Sequence, residues 1–317
     1  MHSEAFPKIK THSLLTRATG HFCVTVLRML SHVPPPMVET LLGHLLPIYI
    51  HFRRRHIQRL TARFQASPFK ATLGIRSYYQ MRLHLILRAL QYHGRRLPYQ
   101  DHLITGLGNY TQALASEQPV VLIGLHSGDY ELLHRIPQSP PNRPFFILTA
   151  PAFAPALSAY MAKGRKLDGK INLSNKKETQ PNRISGASQS FGSGIKTMLK
   201  SKGILAIMSD QDPTPLQSVA TLKLWGRIEV PYPERLFEFL ISKKIFFLPV
   251  STRVLANGQS SFTFHAKWEL AERTTQNATS QSVTLKTKLC SFLESAIESA
   301  PEQWNWSYPK ITVLEEK

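Results

Sequence analysis

Apolar positions along the chain follow two patterns, and the change between them divides it. From residue 13 to about 97, leucines, aromatics and arginines recur at three- and four-residue steps, as in Tyr78, Met81, Leu83, Leu85, Leu87 and Leu90. That spacing puts apolar side chains on one stripe of a helix. Pro34-Pro35-Pro36 separates two such stretches. After Gln118-Pro119 short uninterrupted apolar runs take over: Val120–Leu125, Phe145–Leu148, Ile204–Met208 and Ile245–Val250. Runs of this length predict buried strands.

Between the runs, helical spacing resumes at Tyr130, covers 153–166, returns at 195–200 and fills 281–299. Gly203 is placed to stop a helix. A further strand is predicted at 171–173 and an alternating edge strand at 261–270, while the Ser/Gly-rich stretch 174–194 reads as a mobile, functional loop. Strands alternating with helices predict an α/β fold, a mixed sheet flanked by helices, over residues 101–317. Residues 1–100 form a helical region in front of it.

Charge sharpens that division. The chain carries a formal net charge of +19, and residues 1–100 hold fifteen Lys and Arg against only Glu4 and Glu39. Charge so one-sided calls for an anionic partner: nucleic acid, lipid headgroups or an acidic protein. The apolar stretches 22–30 and 37–50 are interrupted by Arg28, Glu39, His44 and Pro47, so neither supplies about 20 clean apolar residues for a transmembrane helix. Apolar helices flanked by Arg53-Arg54-Arg55 suit a bilayer interface instead. The plainer alternative is a helical subdomain with a solvated basic face. Cys23 and Cys290 are too few for a disulfide framework or a cysteine zinc site.

His126 stands where a buried strand ends, five residues before Glu131. The carboxyl ends of strands in α/β sheets form the ligand crevice. A histidine there can take a proton from an attacking hydroxyl, and a carboxylate on its other nitrogen fixes the tautomer. Thirteen histidines make such a spacing common by chance. Asp210, Gln211 and Asp212 follow a second predicted buried strand, so they fall on the same sheet edge. They read either as a polar cluster holding an acceptor or a cation, or as a turn before Pro213. Two acids without a further clustered ligand are weak grounds for a metal, and none is expected. Ser127 and Ser209 lack the Gly-x-Ser-x-Gly setting of a nucleophile elbow.

Four blocks together resemble one family. His126-Ser127-Gly128-Asp129-Tyr130-Glu131 is similar to the His-x-Gly-Asn-Trp-Glu block of the bacterial lipid A biosynthesis lauroyl and myristoyl acyltransferases, relatives of the glycerolipid acyltransferases. The stretches 194–200 and 202–212 resemble the family's second block, which ends in Asp-Gln, and Leu224-Trp225-Gly226-Arg227 its Phe-Phe-Gly-Arg. Pro301-Glu302-Gln303-Trp304-Asn305-Trp306 resembles the Pro-Glu-Gln-Trp-x-Trp signature. The blocks cover residues 120 to 310 in order.

The resemblance implies a glycerolipid-acyltransferase-like fold with a membrane-associating N-terminal region. It implies His126 as general base, Glu131 as its orienting acid, and Arg165, Asp210, Gln211 and Arg227 as substrate-binding residues. It implies an acyl chain taken from acyl carrier protein, or from acyl-CoA, and passed to a hydroxyl of a phosphorylated glycolipid in lipopolysaccharide biosynthesis. The setting would be the cytoplasmic face of a bacterial inner membrane, with an anionic membrane surface as partner and no redox cofactor. Three departures bear on the acceptor: Asp129 and Tyr130 replace Asn and Trp, the Ile-Glu-Val-Pro-Tyr-Pro after Arg227 replaces a small-residue stretch, and Ser307-Tyr308-Pro309 replaces His-Arg-Arg. The nearest rival is an acyltransferase for another glycolipid or a lysophospholipid. Further rivals are an inactive membrane scaffold and a basic nucleic-acid-binding protein. Against the last, no nucleic-acid-binding motif is present, and no nucleic acid is expected as a partner.

Overall fold

The computed structural model describes residues 54–93, 102–136, 143–149, 183–185, 188–211, 220–269, 278–308 and 310–314, with isolated positions between 25 and 47. The stretches 153–166 and 171–173 lie outside the described residues, as does Arg165.

Two apolar runs without a polar break, Val120–Gly124 (β2) and Ile204–Met208 (β5), are buried at every residue. Such strands need cover on both faces, which parallel pairing with helical crossovers provides. They lie side by side at the centre of a seven-stranded mixed sheet. Beyond β5 come Phe145–Thr149 (β3) and Arg183–Ser185 (β4), all parallel. On the other side of β2 stand Phe246–Val254 (β8), parallel to it, then antiparallel Ser260–Phe264 (β9), then Leu103–Thr105 (β1) at the edge. Thr221–Leu224 (β6), Ile228–Pro231 (β7) and Thr312–Val313 (β10) form a separate antiparallel sheet.

Alternation along the central strands sends side chains to two cores. Val120 and Leu122 join Tyr110, Ala113 and Leu114 of Leu107–Ala115 (α3) on one face. Val121 and Ile123 face the other core, which takes in Ile195 and Met198 of Ser188–Lys200 (α4), Phe237 and Leu240 of Glu234–Ile241 (α5), and Leu289 and Leu293 of Ala278–Glu298 (α6). Leu60 and Phe64 of Arg54–Ala66 (α1) and Tyr78 of Ile75–His93 (α2) belong to that same core. Residues 54–93 of the basic N-terminal region are thus packed on the α/β unit. No helix among the described residues is long and apolar enough to cross a membrane.

Two local expectations change. Within 174–194, residues 183–185 form β4, and α4 begins at Ser188. Ser- and Gly-rich segments have weak intrinsic preference, and packing against neighbours overrides it here. The expected edge strand at 261–270 is an inner strand, because β1 pairs outside it with Leu103 opposite Ser261. The end of α4 follows the expected stop: Lys202 adopts φ 50° and the Gly203 amide bonds back to the Met198 carbonyl at 2.9 Å. A Cβ on Gly203 would lie 2.8 Å from the Pro144 carbonyl oxygen. Only glycine fits between that helix end and β3.

Candidate active site

Strand register builds the site. β2 and β5 run parallel with Val120 opposite Ile204 and Gly124 opposite Met208. Continuing that register two residues past the strand ends brings His126 opposite Asp210. The ladder does continue, since the Ser209 amide and hydroxyl both donate to the Gly124 carbonyl, at 2.8 and 3.0 Å. At the sheet edge the His126 ring Nδ1 lies 2.8 Å from Asp210 Oδ1, and the His126 backbone N–H donates to Oδ2 at 3.0 Å.

Asp210 is 2% exposed, while the His126 side chain keeps 17% of its surface open. Burial, the largest single influence on Asp210, pushes its carboxyl pKa up. The charge of His126, with hydrogen bonds from its ring, from the Trp304 indole and from its own amide, outweighs burial and leaves the carboxyl below its ordinary range. Asp210 is therefore an ionised acceptor. The ring proton sits on Nδ1, and Nε2 remains as the nitrogen able to take a proton from a substrate.

The loop after β2 is fixed by backbone contact with β8, which extends past the end of β2. Gly128 adopts φ 53°, and a Cβ there would lie 2.6 Å from Arg253 Cα and from the Thr252 carbonyl oxygen. Thr252 Oγ1 donates to the Ser127 carbonyl. Ser127 itself is 1% exposed, so its hydroxyl is closed to substrate. Tyr130 sets its ring edge-to-face against His126, with centroids 4.8 Å apart.

Asp129, which stands where the resembling block has Asn, is engaged with α2 and β9. It is buried and holds Arg88 of α2, whose Nη2 and Nε donate to Oδ2 at 2.8 and 3.1 Å. Ser260 of β9 donates to the same oxygen. A charge beside the reaction centre is thereby converted into a tie between the loop, the second helix and the sheet.

Glu131 is the second residue of a short 3-10 turn, Tyr130–Arg135, and is half-buried. Its carbonyl bonds His134 Nδ1 at 2.8 Å. The hydrogen bond at the His126 ring goes instead to Asp210, 84 residues further along the chain. Gln211 is half-buried next to Asp210. Arg227 is exposed in the β6–β7 turn, with its backbone bonded to Leu224 and Leu314. The structure thus brings His126 and Asp210 together and puts Arg227 on the smaller sheet.

Two contributors were not singled out from the sequence: Arg88, and Trp304, whose indole N–H donates to Asp210 Oδ2 at 2.8 Å. Arg88 gave no signal, being one arginine among many. Trp304 stood inside a recognised block with no role attached. The pairing of His126 with Asp210 was accessible, because each residue sits six positions after the first residue of its buried run. Comparison of the chain with protein-family models and with curated proteins gives no match.

Proposed function

We propose that the chain is an O-acyltransferase in which His126 acts as general base and Asp210 orients it. The observation that carries this reading is the 2.8 Å contact from His126 Nδ1 to a fully buried, ionised Asp210 at the carboxyl edge of the sheet. His126 Nε2 takes the proton of an acceptor hydroxyl as that oxygen attacks the carbonyl of an acyl thioester. Asp210 holds the Nδ1–H tautomer and stabilises the imidazolium. Collapse of the tetrahedral intermediate expels the thiolate, which recovers the proton from the imidazolium. The resemblance assigns the orienting role to Glu131, whereas the hydrogen bond to His126 Nδ1 supports Asp210 in that role.

Substrates follow from the resemblance of the four blocks to the lipid A acyltransferases and from charge. The donor is acyl carrier protein, an acidic protein, and the acceptor a phosphorylated glycolipid at the cytoplasmic face of a bacterial inner membrane. Arg54, Arg55, Arg59, Lys70 and Arg76 of the described helical pair 54–93 are exposed, and that stretch has no acidic residue, which supports an anionic partner.

The test incubates the purified chain with fatty-acyl-charged acyl carrier protein and a radiolabelled tetra-acylated lipid A precursor. Parallel arms supply acyl-CoA and a lysophospholipid. Transfer by the wild type, reduced at least about a hundredfold in His126→Ala, is expected. Undiminished transfer by His126→Ala would sink the mechanism. Transfer only in the lysophospholipid arm would replace the acceptor.

A further inference from the structure

The Gln303–Trp306 turn touches both members of the dyad from one side. The Trp304 indole N–H reaches Asp210 Oδ2 at 2.8 Å, and the Asn305 amide donates to the His126 carbonyl at 3.1 Å. The turn is itself fixed. The Gln303 side chain accepts from the Val254 amide at 2.8 Å and donates to the Val254 carbonyl at 2.7 Å, as a third strand residue would at the end of β8. Arg63 of α1 donates to the carbonyls of Trp306 and Ile311. Trp304 is wholly buried, with its ring edge-to-face on Trp306 at 4.6 Å.

A buried carboxylate has two oxygens and a rotatable bond. Oδ1 meets the imidazole; Oδ2 is held by the His126 amide and by the indole. The amide alone lets the carboxylate swing about that one contact. The indole is a second, rigid donor on the same oxygen, and two donors fix the plane that aims Oδ1 at the ring.

We propose that Trp304 is a positioning residue for His126, acting through Asp210. This rests on the acyltransferase reading for its kinetic consequence and not for its structural one. A core tryptophan needed only for bulk would be replaced by phenylalanine with little effect on the histidine; a positioning tryptophan is needed for its N–H.

The experiment uses the full chain with isotope-labelled histidine and tryptophan, as wild type, Trp304→Phe and Trp268→Phe. The last removes an indole N–H that packs against Phe292 away from the dyad. In the wild type, the His126 Nδ1 proton, assigned by its absence in His126→Gln, is expected far downfield. In Trp304→Phe it moves upfield or exchanges away, and kcat for acyl transfer falls about ten- to a hundredfold, the worth of one hydrogen bond to a charged group, with KM unchanged. Trp268→Phe leaves both as in the wild type.

If Trp304→Phe does not fold, the wild-type indole resonance of Trp304 serves instead, and it shifts on Asp210→Asn while that of Trp268 does not. A His126 signal in Trp304→Phe matching that in Trp268→Phe, or an indole resonance indifferent to Asp210→Asn, overturns the proposal. Absence of acyl transfer in the wild type, with the resonances behaving as expected, would instead count against the acyltransferase reading and leave the positioning role standing.

Discussion

His126 and Asp210 divide the work by exposure. A fully buried carboxylate is costly unless donors surround it, and Asp210 has three: the His126 ring, the His126 amide and the Trp304 indole. Those donors leave no ambiguity about which nitrogen carries the ring proton. Asparagine at 210 keeps the shape but offers an amide N–H where the ring needs an acceptor, favouring the other tautomer with its proton on Nε2. That form cannot act as base. Asp210→Asn is therefore expected to lower kcat about ten-thousandfold, the scale of the corresponding change in a histidine–aspartate pair of a serine protease. In Glu131→Gln the ring stays in the Nδ1–H tautomer. Steady-state kinetics with nitrogen NMR of the histidine ring checks both, and a tautomer change in Glu131→Gln would return the orienting role to Glu131.

At the scale of elements, the Arg88–Asp129 pair ties α2 to the loop behind His126. Both side chains are nearly closed to solvent, at 10% and 2% exposure. Removing one partner leaves the other charge buried alone, which costs about 3–5 kcal/mol, whereas replacing both by apolar groups of similar size is often close to neutral. In urea unfolding, Arg88→Met and Asp129→Leu should each destabilise by about that much, and the double variant should recover most of the loss. Additive losses would show that the pair does not act as a unit. The same elements explain what the sequence made legible. β2, β5 and the start of β8 were visible because unbroken apolar runs have few other solutions, and the stop at Gly203 because a turn chemistry demanded it. β1 and β4, three residues each, carry no run of their own and exist through pairing with β9 and β3. His126 and Asp210 were each recognisable at a strand end, but their partnership needed β5 to be the neighbour of β2. Local pattern cannot supply strand order, so the nearer acid in the chain, Glu131, stood in for the nearer acid in space.

Over the whole molecule, two buried groups couple folding to pH in separate windows. His265 is held below its ordinary pKa by burial, with Nε2 on Ser251 Oγ at 2.9 Å and its ring against Phe292. A depressed histidine binds its proton more readily in the unfolded chain. Its contribution to stability is complete above the unfolded pKa of about 6.5 and erodes as pH falls from there toward the folded value. Asp210 is depressed as well, although burial alone would raise it. Its contribution is complete above the unfolded carboxylate pKa of about 3.9 and disappears as pH falls through the folded one. The wild type should therefore lose stability in two stages on acidification. His265→Asn removes the first slope and keeps the second, and Asp210→Asn does the reverse. Urea midpoints measured at closely spaced pH values resolve the two slopes. A wild-type profile that stays flat as pH falls from about 6.5 to the carboxylate range would show that His265 is protonated without cost in the folded chain. A single slope lost in both variants would mean that the histidine near the end of β9 and the acid after β5 titrate as one coupled system across the central strands.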